Sequence, residues 1–255
     1  MRGAEVFCVL GMHRSGTSLL TGLLNRLGVN LGSERHLMPA DEYNSRGYWE
    51  HSGITSLNEE ILGRLGGTWD EPPPFPPGWE RAAAMDDLKQ RARRMIQDSF
   101  TDARTWGWKD PRSCLTLPFW QQLLPDMRYL VCLRNPVDVA LSLERPHHFS
   151  AQKSSRLWFA YSSSALTHSV GRSRLIVFHE DLMADCIGEL QRMASFIGRP
   201  GRVKQADVQE TARAFVARDL QHYRTSLVKA MLDSRIDRRA RALYGAQRIR
   251  AYFGR

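Results

Sequence analysis

Gly11-Met12-His13-Arg14-Ser15-Gly16-Thr17-Ser18 is the stretch whose reading decides the fold. The apolar run Glu5–Leu10 leads into it. A helical pattern comes at once after it, with Leu19, Leu20, Leu23, Leu24 and Leu27 recurring on one face and Gly28 as the stop. Apolar strand, glycine-spaced loop and helix are the context required by the phosphate-binding pattern G-x-x-x-x-G-K-[ST]. Gly11 and Gly16 hold its glycine positions and Ser18 its hydroxyl position, while Thr17 stands where the lysine belongs. Backbone N–H groups of such a loop, with the helix N-terminus, make a nest for an oxyanion. In nucleoside triphosphatases the lysine reaches the terminal phosphates. The loop is therefore poorly built for a magnesium triphosphate, although a cation is present, moved to Arg14.

Outward from this loop the chain alternates strand and helix. Short apolar strands are expected at Glu5–Leu10, Thr105–Trp108, Tyr129–Leu133 and Leu175–Phe178. Helices are expected over Ser18–Leu27, Ile54–Leu65, Ala82–Phe100, Thr116–Leu124, Pro136 to Leu143, Ser154–Val170 and Ile187–Ile197, with most of the remainder helical. Continuous apolar strands separated by helices predict an α/β chain: a P-loop-like three-layer fold with a central parallel sheet flanked by helices. Ligands bind such sheets beyond the carboxyl ends of the strands. Pro72-Pro73-Pro74-Phe75-Pro76-Pro77-Gly78 holds five of the twelve prolines and is neither helix nor central strand. It is read as a stiff loop within one domain spanning 1–255, because motifs on its two sides look like parts of one site.

Composition narrows the class. The 255 residues are 42% hydrophobic and 25% charged, values of a globular chain. The longest apolar runs, such as Val6–Met12, are far below the 18 or so residues of a membrane span. Val6–Met12 also lacks a cleavage site, so it is read as a buried strand and the protein as cytoplasmic. The four cysteines are far apart and form no C-x-x-C pair, so they are read as small buried residues, and no spacing points to a metal site. Much of the net charge of +9 sits near the end, where residues 235–255 carry seven arginines against Asp237. The basic helical segment at about 225–255 is read as a solvated face that attracts anions, with peripheral membrane contact left open. No zinc-finger or RNP-type motif supports nucleic-acid binding.

Two further constellations lie at strand ends. Trp106-Gly107-Trp108-Lys109-Asp110-Pro111-Arg112 sets Lys109 at the end of a strand, with Pro111 expected to interrupt regular structure just beyond it. Arg134-Asn135-Pro136 comes after Tyr129–Leu133, and Ser142 stands eight residues later on the helix that Pro136 opens.

Together these residues resemble the sulfotransferase family that uses 3′-phosphoadenosine 5′-phosphosulfate (PAPS). Arg14-Ser15-Gly16-Thr17-Ser18 is similar to its 5′-phosphosulfate loop, and Arg134 with Ser142 to its 3′-phosphate site. Trp108-Lys109-Asp110-Pro111 is similar to the lysine segment of the tyrosylprotein branch. The opening loop and Asn44–Glu50 look like soluble bacterial members. The resemblance covers roughly residues 5–200. It implies that Arg14 contacts the transferring sulfuryl group, assisted by Lys109. It implies that Ser15, Gly16, Thr17 and Ser18 cradle the 5′-phosphate, and that Arg134 and Ser142 clamp the 3′-phosphate. His179, in Phe178-His179-Glu180-Asp181-Leu182, stands where the family has a tyrosine near the adenine.

The chain also departs from the cytosolic aryl and steroid branch. It has no histidine just after Lys109 and no carboxyl-terminal Arg-Lys-Gly motif. The catalytic base must then come from elsewhere, and the candidates are Glu34, Asp41, Glu42, Glu50 and His51. Glu50 ranks first because Gly47-Tyr48-Trp49 precedes it and aromatic walls raise a carboxylate pKa. Glu42 and Glu34 rank next. His13 is read as shaping the loop and His147-His148 as a polar loop. Trp49, Trp69, Phe75, Trp79 and Trp106 form either an aromatic lid or part of the core. A small-molecule or glycan acceptor is implied by the resemblance. The alternatives are a P-loop small-molecule kinase, which Thr17 opposes, and a non-catalytic nucleotide-binding scaffold.

Overall fold

A computed structural model describes residues 3–39, 47–199 and 223–253. Its centre is a four-stranded, all-parallel sheet in the order β2-β1-β3-β4. The strands are β1 (Glu5–Leu10), β2 (Thr105–Lys109), β3 (Arg128–Leu133) and β4 (Arg174–Phe178). The register pairs Val9 with Lys109, Leu10 with Val131 and Leu133 with Phe178. The carboxyl ends of all four strands therefore share one edge, and Gly11, Lys109, Arg134 and His179 stand along it.

Alternation along the strands splits the core into two layers. Val6, Cys8 and Leu10 of β1, with Trp106 and Trp108 of β2, face one helical layer. That layer comprises α2 (Ser52–Arg64), α3 (Asp86–Phe100), α4 (Ser113–Leu123), α5 (Pro136–His147), α6 (Ala151–His168) and the Arg238–Phe253 helix. Phe7 and Val9 face the other layer, which holds α1 (Thr17–Arg26), α7 (His179–Ala184) and α8 (Cys186–Phe196). The apolar strands predicted from sequence are thus covered on both faces, as parallel sheets must be.

Several boundaries differ from expectation for identifiable reasons. The segment expected as one helix from Ala82 begins as a 3₁₀ turn at Ala83–Met85, and α3 starts at Asp86. Pro111 stands where regular structure is interrupted, as expected, since β2 ends at Lys109 and α4 begins at Ser113. The Pro111 carbonyl accepts from Cys114 N at 3.0 Å, so it opens the turn into α4, three residues before the expected start. Helix α5 runs past Leu143 to His147 with Pro146 inside it. Six-residue α7 fills a stretch with too few apolar positions to announce a helix.

The aromatic residues divide. Trp106 is fully buried and stacks on Phe100 at 4.2 Å, and Trp108 packs on Trp120 at 5.3 Å, so both belong to the core behind β2. Trp79 is also buried and packs on Phe75 at 5.5 Å. Trp69 instead reaches the phosphate loop, with its ring 4.6 Å from that of His13. The proline-rich stretch lies between α2 and the 3₁₀ turn at Trp79–Arg81. Among the described residues no helix is long and apolar enough to cross a membrane.

Candidate functional site

The loop after β1 is held by its backbone. Gly16 has φ +88° and caps α1 in the left-handed region, where a side chain is strained. A Cβ there would also stand 2.3 Å from His179 Cδ2. At Gly11 a Cβ would stand 2.7 Å from the Cys132 carbonyl oxygen. Two cysteines fasten the loop: Gly11 N donates to Cys114 Sγ at 3.0 Å, and Cys132 Sγ donates to Ser15 O at 3.1 Å. All four cysteines are free and buried, and burial pushes the Cys114 thiol up to about 12 and that of Cys132 higher still. Sequence reading found these residues buried but missed their bonds to the loop, which join positions more than a hundred residues apart.

At the end of β2, Lys109 turns back over α1. Its Nζ donates to Glu50 Oε1 at 2.6 Å and to Ser18 Oγ at 3.3 Å, and Ser18 Oγ donates to the Tyr48 carbonyl at 3.3 Å. Lys109 and Glu50 are both buried. Burial pushes the Glu50 carboxyl above the usual range against the pull of Lys109. Glu50 immediately precedes His51, the residue that caps α2, and its carbonyl accepts from Met38 N at 2.8 Å.

The next residue, Asp110, is fully buried. It accepts from Arg112 Nη1 at 2.9 Å, Arg112 N at 3.0 Å and Asn58 Nδ2 at 2.9 Å. Burial opposes ionisation, but Arg112 and these hydrogen bonds hold its carboxyl below the ordinary value. Asn58, on α2, also donates to Ser113 Oγ, while its Oδ1 accepts from Thr116 and from the Trp120 indole. Every polar atom of its amide is thereby used. This hub was invisible in the sequence, where an asparagine inside a helical pattern carries no signal.

The end of β3 is built differently. Arg134 is buried and donates from Nη1 to the Arg14 carbonyl at 3.0 Å. Arg14 donates from Nε to Ser142 Oγ at 3.0 Å, so Ser142 of α5 joins the loop through Arg14. Two carboxylates whose charge acts on Arg134 take hydrogen bonds from backbone amides. Glu180 accepts from Asn135 N at 2.7 Å, and Asp138 accepts from Thr225 N at 3.0 Å. His179, first residue of α7, is buried, and desolvation followed by the Arg134 charge lowers its pKa to about 3. His13 is likewise lowered to about 3 by burial and then by Arg112.

The remaining base candidates fall away from this geometry or outside it. Glu34 lies exposed on the 3₁₀ turn Glu34–His36. His51 Nε2 pairs with Ser99 Oγ at 3.1 Å, and burial lowers its pKa to about 4. Asp41 and Glu42 lie outside the described residues. His147 is not in a loop: it ends α5, with its ring 5.1 Å from Trp69.

Comparison with known proteins bears on the family and the fold. The model of the sulfotransferase family matches residues 6–203. A search of curated proteins found no match. Among solved structures, the sulfotransferase domain of the Synechococcus PCC 7002 olefin synthase is 18% identical, with a TM-score of 0.59, over 96% of this chain and 95% of that one. Sulfotransferase STF9 from Mycobacterium avium is 14% identical, with a TM-score of 0.54, over 99% of this chain and 76% of that one. These structures share the fold. The family model spans well over half of the chain, from the first strand through the loop, Lys109, Arg134 and His179, and on that ground the chain belongs to the sulfotransferase family.

Proposed function

We propose that the protein transfers a sulfuryl group from PAPS to an acceptor hydroxyl by in-line displacement. The observation that carries this reading is the convergence of Ser142, Arg134 and Lys109, from three separate elements, on the phosphate-type loop that carries Arg14. The residues fit a doubly phosphorylated nucleotide. Ser15 Oγ, Arg134 Nε and His179 Nδ1 are buried beside the loop with no hydrogen-bond partner among the described residues, and such atoms call for a polar ligand. Ser15, Gly16, Thr17 and Ser18 would hold the 5′-phosphate, Arg134 and Ser142 the 3′-phosphate, and His179 would lie by the adenine.

PAPS, when bound, supplies a sulfuryl group on a phosphate leaving group. Arg14 and Lys109 are the cations placed to offset charge on the sulfuryl oxygens, and such preorganised donors contribute roughly 3–4 kcal/mol each. Glu50 would take the acceptor proton. Its raised pKa suits a base, and the Lys109 charge pulls against that rise. Glu34 and Glu42 rank below it, the first for its exposure. A small-molecule or glycan acceptor belongs to this reading, as does a cytoplasmic location, where free buried cysteines stay reduced.

Thermal stabilisation by 3′-phosphoadenosine 5′-phosphate, ATP–magnesium and 5′-AMP tests the donor. The first should add about 2.7 kcal/mol at 100 times Kd while 5′-AMP adds far less. Greater stabilisation by ATP–magnesium would replace this reading with a kinase. Tight binding with no sulfuryl transfer to any hydroxyl acceptor would replace it with a scaffold.

A further inference from the structure

Between the first turns of α6 and of the Arg238–Phe253 helix lies a cavity of about 530 Å³. Arg156, Arg235, Arg238, Arg239 and Arg241 wall it, against one lining carboxylate, Asp237. Three of the arginines are held in place. Arg235 pairs with Asp233 at 2.6 Å, Arg239 with Asp237 at 3.0 Å, and Arg241 donates to the Met231 carbonyl at 2.8 Å. Arg156 and Arg238 are exposed and make no hydrogen bond or ion pair among the described residues. The cavity is thus a cationic pocket in which Asp237 feels the charges of Arg239 and Arg156, and Arg238 has no hydrogen-bond or ion-pair partner among the described residues.

Beside it the Leu227–Leu232 helix turns aliphatic side chains to solvent. Leu227 is 43% exposed, Val228 68% and Leu232 75%. The bond from Arg241 to Met231 ties this helix to the pocket wall, and Ser234 of the wall comes two residues after Leu232. A soluble phosphate ester would satisfy the arginines but leave the aliphatic residues in water. A bilayer surface serves both, with phosphate headgroups at the arginines and acyl chains at the aliphatic side chains.

The geometry points to a docking face for an anionic lipid surface, in which the arginine cavity receives a phosphate headgroup and Leu227, Val228 and Leu232 enter the acyl boundary. None of these residues takes part in the loop, Lys109 or Arg134 clusters, so the inference stands apart from the reaction proposed above.

The test is sedimentation of the full chain with vesicles of phosphatidylcholine alone and of phosphatidylcholine mixed with phosphatidylglycerol. Partition should be at least about 10-fold stronger on the anionic vesicles and should weaken as salt is added. Arg156→Ala with Arg238→Ala should lower it about 30-fold. Val228→Ser with Leu232→Ser should lower it about 10-fold or more. Neither pair should move the melting temperature, which separates lost docking from lost folding. Equal partition onto neutral vesicles, no partition, or variants that bind like the parent would overturn the inference. So would stabilisation by inorganic phosphate or glucose 6-phosphate without vesicle binding, which would assign the cavity to a soluble anion.

Discussion

The ends of β2 and β3 lie one strand apart on the same edge, yet their charges are arranged in opposite ways. At the end of β2 every charge has a counter-charge in contact. Lys109 meets Glu50, Asp110 meets Arg112, and Arg112 reaches Glu59 at 2.9 Å. At the end of β3 the buried Arg134 meets a carbonyl, while the nearby Glu180 and Asp138 bond to backbone amides. The β2 end is internally paired and suited to holding and moving a proton. The β3 end offers Arg134 to an anion. A buried charge separated from its partner is costly, so the two ends should respond differently to the same kind of substitution.

The largest effect is expected at the β2 end. Lys109→Met should lower turnover about 100-fold or more. It should also cost on the order of 3 kcal/mol of stability, because Glu50 is left buried without its cation. The double variant Lys109→Met with Glu50→Gln should regain most of the stability in urea unfolding and none of the turnover. A single variant as stable as the parent would show that the pair is not held as described.

At the β3 end, Arg134→Met should weaken binding of 3′-phosphoadenosine 5′-phosphate about 10- to 100-fold by calorimetry. It should erase the preference over 5′-AMP. Without nucleotide the melting temperature should stay level or rise, since an undercompensated buried cation is removed. A loss of stability like that of Lys109→Met would abolish the contrast between the two ends.

Two pH dependences sharpen it further. The acid limb of kcat/KM should track Glu50 at a pH above the usual carboxylate value of about 4.3, and Glu50→Gln should flatten that limb. His179 works through stability. Its folded pKa of about 3 lies below the unfolded value of about 6.5, so the unfolded chain binds the proton first. Its contribution is complete above pH 6.5 and is lost as pH falls towards 3. At pH 5 the loss is on the order of 1–2 kcal/mol, which His179→Asn should remove from the acid unfolding profile. His13 has the same sign and leaves a residual slope. The smallest change is expected from Glu34→Gln, whose exposed side chain should leave turnover within about twofold. A large loss there would move the base away from Glu50.

Local order explains what could be read in advance. Strand β1, the Gly11–Ser18 loop and α1 are contiguous, so periodicity and glycine spacing reveal them together. Lys109 and Arg134 were legible because each ends an apolar run that can only be a strand. Pro111 marked the break between β2 and α4, but not how soon after it the helix begins. Asn58 gave no signal, and Cys114 and Cys132 gave only their burial, since their roles rest on partners far along the chain.

The sequence by itself determined the parallel α/β sheet, the phosphate-type loop without its lysine, and the residues at the strand ends. These arise from hydrophobic period, backbone geometry and residue chemistry over a few neighbours. Only the tertiary structure decided that Glu50 meets Lys109, that Ser142 reaches the loop through Arg14, and that the arginine cavity adjoins an exposed aliphatic helix. Those pairings join residues up to 128 positions apart, and the packing of α2, α5 and α6 on one face of the sheet sets their distances. The charge state of Glu50 depends on the same packing, because burial and a lysine at 2.6 Å exist only once the chain has folded.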